Sequence, residues 1–115
     1  MQSTRWCRCR SLLTLEDVYR FQPVPPAADP ARVLGVQACL WTEHMDSARV
    51  VDYMAFPRLC ALAEVAWSGA GHDVVDFLGR MRLHQARLRA SGVEFRPDGG
   101  PLPWQTRPDA RGHPR

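Results

Sequence analysis

Two hydrophobic periods alternate along this chain. Residues 33–40 are a near-continuous apolar run interrupted by Gln37. Such a run predicts a strand buried on both faces, as in a parallel sheet covered by helices. The strand is expected over residues 33–41, with Gly35 marking the close approach of a neighbouring backbone. Beyond Pro57 the period becomes helical. Leu59, Leu62, Ala63, Ala66 and Trp67 follow the i, i+3, i+4, i+7, i+8 spacing of one helix face. Arg58 and Glu64 are the only charges there, so this helix is expected to be largely covered, with Ser68-Gly69 ending it. A last helix is expected over residues 74–90, capped by Asp73, with Asp76 in its first turn and Gly92 closing it. Its buried stripe would be Val74, Phe77, Leu78, Met81 and Leu88, and Arg80, Arg82, Arg87 and Arg89 decorate the remainder.

Shorter elements fill the gaps. Thr14 is placed to cap a helix over residues 15–21, with Glu16 and Asp17 favoured in its first turn. Pro23, Pro25, Pro26 and Pro30 predict an extended linker. Asp46 or Ser47 would cap a short helix over residues 49–55, which Pro57 breaks while fitting the first turn of its successor. Residues 93–96 read as a short strand or extended segment. Three regions result: a basic N-terminal tail over residues 1–12, a folded segment over 13–96, and an irregular Pro/Gly-rich tail over 97–115 with Trp104 as its large apolar anchor. No internal repeat is visible.

Composition narrows the class. At 115 residues the chain has room for one small core, and its 45% apolar content is ordinary for a globular protein. The net charge is +3, and all fifteen basic residues are arginine. They are scattered and do not alternate with exposed aromatics, which argues against a nucleic-acid surface. Cys7 and Cys9 are too close for good disulfide geometry and lack the usual zinc spacing. Cys39 and Cys60 read as small core residues, and His44, His72, His84 and His113 are too dispersed for a metal site. No metal or cofactor is expected. The apolar part of the N-terminus, Leu12-Leu13, is too short for a signal-peptide core, and no stretch reaches membrane-spanning length. The chain as it stands is therefore expected in the cytoplasm, away from membranes.

The candidate chemistry sits where the apolar run ends, in Trp41-Thr42-Glu43. In α/β folds ligands bind outside the carboxyl ends of strands. On residues alone, Trp41 reads first as a core residue closing the strand end, and Glu43 as a surface carboxylate. The pair nonetheless suits a sugar: indole offers a flat apolar wall, and a carboxylate two residues on accepts hydroxyl hydrogen bonds.

Several blocks, in order, carry a family resemblance. Gly35-Val36-Gln37-Ala38 and Leu40-Trp41-Thr42-Glu43 come first. Asp52-Tyr53-Met54-Ala55-Phe56-Pro57-Arg58-Leu59 and Ala63-Glu64-Val65-Ala66-Trp67-Ser68 follow. Together they resemble the end of the catalytic domain of family-20 glycoside hydrolases, the β-N-acetylhexosaminidases. Weaker likeness extends up to Leu15 and down to Pro97. A complete (β/α)8 barrel needs about 250 residues. The expected architecture is thus α/β: an incomplete C-terminal fragment of a TIM barrel, mostly helical, with one buried strand carrying the motif.

The resemblance implies roles. Trp41 would line the pocket holding the terminal sugar, and Glu43 would bond hydroxyls at its C4 and C6 end. Arg58 and Glu64 would be structural charges tying their helix to its neighbours, and Trp67 and Phe56 would be packing residues. The partners implied are glycans ending in β-linked N-acetylglucosamine or N-acetylgalactosamine. In this family the substrate assists its own cleavage. Its 2-acetamido oxygen attacks the anomeric carbon, served by an adjacent Asp-Glu pair from upstream in the domain. No Asp-Glu dipeptide occurs here, and Glu16-Asp17 has the reverse order at a helix start. Tyr19 and Tyr53 do not match the family's acetamido-contacting tyrosine. The chain is expected to be inactive alone. Two other readings stay open: a small non-catalytic helical interaction protein, and a degraded gene product.

Overall fold

The computed structural model describes residues 13–69, 73–102 and 105. The proposed tail over residues 1–12, with Cys7 and Cys9, lies outside them, as do His72, Trp104 and His113. Four α-helices are present: α1 (Leu15–Tyr19), α2 (Ala48–Ala55), α3 (Arg58–Ser68) and α4 (Val74–Ala90). Short 3-10 turns occupy Pro30–Arg32 and Thr42–His44.

Local chemistry explains the helix boundaries. At α1 the Thr14 hydroxyl accepts from the Asp17 N–H at 3.1 Å, while Asp17 accepts from the Thr14 N–H at 2.9 Å, a reciprocal capping box. The helix stops at Tyr19, two residues short of the expected end: Arg20 still donates to the Glu16 carbonyl in the helical pattern, but the Phe21 N–H tightens onto the Val18 carbonyl at 3.2 Å. Asp73 caps α4 by accepting from the Val75 N–H at 2.8 Å. Gly69 ends α3 with φ of 81°, a conformation that side chains with a Cβ resist. The proline segment bends and closes a 3-10 turn that Asp29 caps, rather than running extended.

The core gathers Tyr19 of α1, Ala61 and Val65 of α3, Phe77, Met81 and Leu88 of α4, and Phe95 of the following segment. Tyr19 and Phe77 stack with ring centroids 4.1 Å apart. The stripe expected on α4 faces this core: Phe77, Met81 and Leu88 are buried, and Val74 and Leu78 pack against them. Residues 93–96 form neither a strand nor a straight extended segment, since the Phe95 N–H turns back onto the Val93 carbonyl at 3.0 Å. The Arg96 N–H donates to the Phe56 carbonyl at 3.0 Å, fastening the segment to the α2–α3 junction.

Two larger expectations also fail. The first is the buried strand. Among the described residues no strand is present, and residues 33–41 are irregular, mostly exposed backbone. Leu34 is fully exposed and Trp41 is 72% exposed. Cys39, expected in the core, is exposed, and a Cβ on Gly35 would meet nothing within 4 Å. A strand needs neighbours to take its ladder bonds and cover its faces. Among the described residues no backbone N–H from Leu34 to Trp41 donates to another backbone group. The second is the covered face of α3. Ala61 and Val65 point inward, whereas Ala63, Ala66 and Trp67 are exposed, Trp67 at 91%. This helix is apolar on two faces, and α1 and α4 cover one of them. Trp67, expected to pack, therefore faces solvent.

These exposed apolar groups lead to an expected result. The chain should bind a hydrophobic dye or self-associate, and amides 34–40 should exchange at close to unprotected rates. Hydrogen exchange read residue by residue checks this. Slow exchange across that stretch in a monomer would mean that the run is paired and buried in solution.

Candidate functional site

Trp41 and Glu43 share one short turn. Trp41 precedes the 3-10 turn Thr42–His44 with extended backbone, and the Met45 N–H closes the turn on the Thr42 carbonyl at 3.0 Å. The turn presents both side chains at the surface: the indole is 72% exposed and Glu43 is exposed. A wall and an acceptor thus stand two residues apart on a compact backbone unit. Neither residue lines either of two clefts in the described surface. One shallow cleft of about 430 Å³ is lined by Glu64, Ser68, Asp73, Asp76 and Arg80, and another lies along Ala27–Asp29, Arg32 and Val33.

The charges of α3 sit elsewhere. Glu64 joins three helices. Its Oε1 accepts from the Tyr19 hydroxyl of α1 at 3.0 Å and from Arg80 Nη2 of α4 at 2.6 Å, and its Oε2 accepts from Arg80 Nη1 at 2.7 Å. Arg80 is held in turn by Asp76, one helical turn earlier, at 2.8 Å. The bonds to Glu64, then to Asp76, raise the Arg80 pKa above its ordinary value. Arg58 points the other way. It donates from Nε to the Leu13 carbonyl at 2.8 Å and from Nη1 to the Met54 carbonyl at 2.7 Å. The Trp41–Glu43 turn is a candidate for ligand contact, and the Glu64 cluster is a tie between helices. The sequence does not mark Tyr19 and Arg80 as partners of Glu64. The i, i+4 spacing of Asp76 and Arg80 signals their own pairing, but nothing in the pattern shows that α4 crosses Glu64.

The tie has measurable consequences. Glu64→Ala should lower stability by about 1–2 kcal/mol, since it removes a charged acceptor from the Tyr19 phenol while the pair with half-exposed Arg80 adds little. Chemical denaturation checks this, and an unchanged midpoint would show that the bonds contribute nothing net. Burial, and then the Glu64 bond, push the Tyr19 phenol above its ordinary value of 10. The folded state therefore holds this proton more tightly than the unfolded chain. The associated stability is complete below pH about 10 and is lost as pH rises through the raised folded value. Tyr19→Phe should flatten that alkaline limb, read from denaturation midpoints between neutral pH and pH 11.

Among the described residues no cluster of three or more His, Cys, Asp or Glu side chains could hold a metal ion. No described helix is long and apolar enough to cross a membrane.

Comparison with known proteins adds a second line. Residues 2–70 match the family model described as glycosyl hydrolase family 20, catalytic domain. The match takes in residues 2–12, set apart above as a tail, and ends before α4. A beta-hexosaminidase of Porphyromonas gingivalis is 40% identical over 85 residues, covering 70% of this chain and 11% of that protein. A beta-N-acetylhexosaminidase of Cellulomonas fimi is 39% identical over 75 residues, covering 63% of this chain and 15% of the relative. The beta-hexosaminidase subunit beta of Sus scrofa is 31% identical over 86 residues, covering 71% and 16%. The chain thus spans between 11% and 16% of the length of these three relatives.

Proposed function

Because this chain belongs to glycosyl hydrolase family 20, matching its catalytic domain over residues 2–70, we propose that it supplies one wall of a β-N-acetylhexosaminidase pocket. Trp41 and Glu43 are the residues that make this contribution. The observation carrying the reading is their shared placement on the exposed Thr42–His44 turn, inside the matched region. In a closed site the indole face packs on the apolar face of a terminal N-acetylhexosamine. The Glu43 carboxylate accepts hydrogen bonds from hydroxyls on the ring's far edge, fixing its rotation over the indole.

The chemistry itself falls to groups beyond this chain. The 2-acetamido oxygen attacks the anomeric carbon as the glycosidic C–O bond breaks, and a carboxylic acid protonates the departing oxygen. Water then opens the oxazolinium ring and restores the acetamido group. Trp41 and Glu43 serve these steps by holding the ring where the acetamido oxygen meets the anomeric carbon. Arg58, Glu64 and Trp67 take no part in sugar contact on this reading. The first two hold α3 to its neighbours, and Trp67 packs once its exposed face is covered. The natural substrates are glycans with a terminal, non-reducing β-linked N-acetylglucosamine or N-acetylgalactosamine.

A graft tests the reading. Residues 13–102 of this chain would replace the matching portion of the Porphyromonas gingivalis relative. Hydrolysis of an aryl β-N-acetylglucosaminide by the chimera is the expected outcome. A chimera that folds with native-like helicity and turns over no substrate would overturn the proposal.

A further inference from the structure

The corner where α2 passes into α3 contains three buried polar atoms without a hydrogen-bond partner: Tyr53 Oη, Arg58 Nη2 and Arg96 Nε. They lie outside both the Trp41–Glu43 turn and the Glu64 tie. Tyr53 is 2% exposed, so its hydroxyl is turned away from water. The bond from Arg58 Nη1 to the Met54 carbonyl folds that guanidinium back over the last turn of α2, the helix that carries Tyr53. The bond from the Arg96 N–H to the Phe56 carbonyl brings the third group to the same corner.

Nearby carboxylates are engaged elsewhere. Asp52 accepts from the Glu94 N–H at 3.5 Å, and Glu94 accepts from Arg49 at 3.4 Å and from Gln105 at 2.9 Å. Among the described residues no ion pair involves Arg58 or Arg96. The Arg58 and Arg96 side chains are part-buried without an ion-pair partner among the described residues, and the Tyr53 phenol is buried on the adjoining α2. Burial, and then the neighbouring Arg96 charge, push the Arg58 pKa below its ordinary value. Buried charges call for a counter-charge and for acceptors on every donor. A water molecule would satisfy some donors and leave the repulsion in place. An oxyanion does both, and guanidinium groups match its geometry.

We propose that Tyr53, Arg58 and Arg96 form an internal oxyanion site, taking the oxygens of a carboxylate or phosphate group at the α2–α3 corner. The unpaired atoms have no open surface, so the ion enters as the Glu94–Arg96 segment lifts from α2. Once seated, it bridges that segment to both helices. The site does not depend on the sugar-binding reading of Trp41 and Glu43.

Titration of the full chain with inorganic phosphate, at ionic strength held constant with chloride, tests the proposal. Phosphorus line widths and the Nε–H resonance of Arg96 report binding, and acetate is titrated in parallel. Saturable binding that shifts the Arg96 resonance is expected. Tyr53→Phe should weaken it about tenfold or more, as loss of a hydrogen bond to a charged group implies. Arg96→Gln should abolish it. If Arg96→Gln does not fold, Tyr53→Phe decides, since it keeps the buried ring. Tighter phosphate than acetate would make the ligand a phosphate, and the reverse a carboxylate. Binding that neither variant weakens would be an adventitious ion on surface arginines and would overturn the site. So would the absence of saturable binding of either ion by a helical wild-type chain.

Discussion

A purified preparation of this chain should leave an aryl β-N-acetylglucosaminide intact. The expectation rests on what the surface offers rather than on weak sugar contact. Trp41 and Glu43 stand on an exposed turn, 72% exposed in the case of the indole, and line neither of the two clefts. No Asp-Glu pair exists in the chain to orient an acetamido group and protonate a leaving oxygen. General acid catalysis alone contributes about 10²–10⁴-fold, and positioning of the reacting atoms contributes more. A single wall in water supplies neither. Release of the aryl alcohol, followed at concentrations well above those of a typical hexosaminidase assay, is the measurement. Turnover that co-purifies with the chain and disappears in Glu43→Gln would show that the chain assembles a working site of its own.

Local signals in the sequence place several helix ends, though not the end of α1 or the bend of the proline segment. Asp73, Thr14 and Gly69 mark helix ends because capping bonds and positive φ are decided within a few residues. The stripe on α4 was legible because its large apolar residues Phe77, Met81 and Leu88 recur at helical spacing while the arginines fall outside it, although Val75 and Leu83 are left exposed. The apolar run at residues 33–40 misled for the opposite reason. Its pattern records a residue's suitability for a two-sided burial, whereas a strand exists only when partner strands are present to bond it. The same holds for α3. Leu62, Ala63, Ala66 and Trp67 form an apolar stripe, but so do Ala61 and Val65, and periodicity cannot rank two faces when both are apolar. Trp41 and Glu43 are marked by the end of the apolar run and by the motif blocks, but the 3-10 turn that holds them in place of a strand end is not. The Glu64 tie and the Tyr53–Arg58–Arg96 corner depend on contacts between elements 16 to 45 residues apart, which lie beyond any local pattern.

In the grafted enzyme, Trp41→Ala should be the most damaging single change within this chain's portion. An indole face covering about 100 Å² of sugar, at about 25 cal/mol per Å², contributes about 2.5 kcal/mol, or roughly 70-fold in kcat/KM. The loss extends to kcat, because a ring without its wall no longer holds the acetamido oxygen over the anomeric carbon. Glu43→Gln keeps shape and removes charge. Hydrogen bonds to charged groups contribute about 1.5–3 kcal/mol against about 0.5–1.5 for neutral ones, so the change should cost about 1–2 kcal/mol, or roughly five- to thirty-fold. Glu64→Gln has a different signature. It weakens the bonds that join α1, α3 and α4, and so lowers the midpoint of unfolding while kcat/KM of the folded fraction stays near the parent value. Steady-state kinetics on the three variants, each corrected for its folded fraction, separate the roles. A silent Glu43→Gln beside a Glu64→Gln that cripples folded enzyme would place the sugar against the Glu64 cleft, and would overturn the assignment of Trp41 and Glu43 as the binding wall.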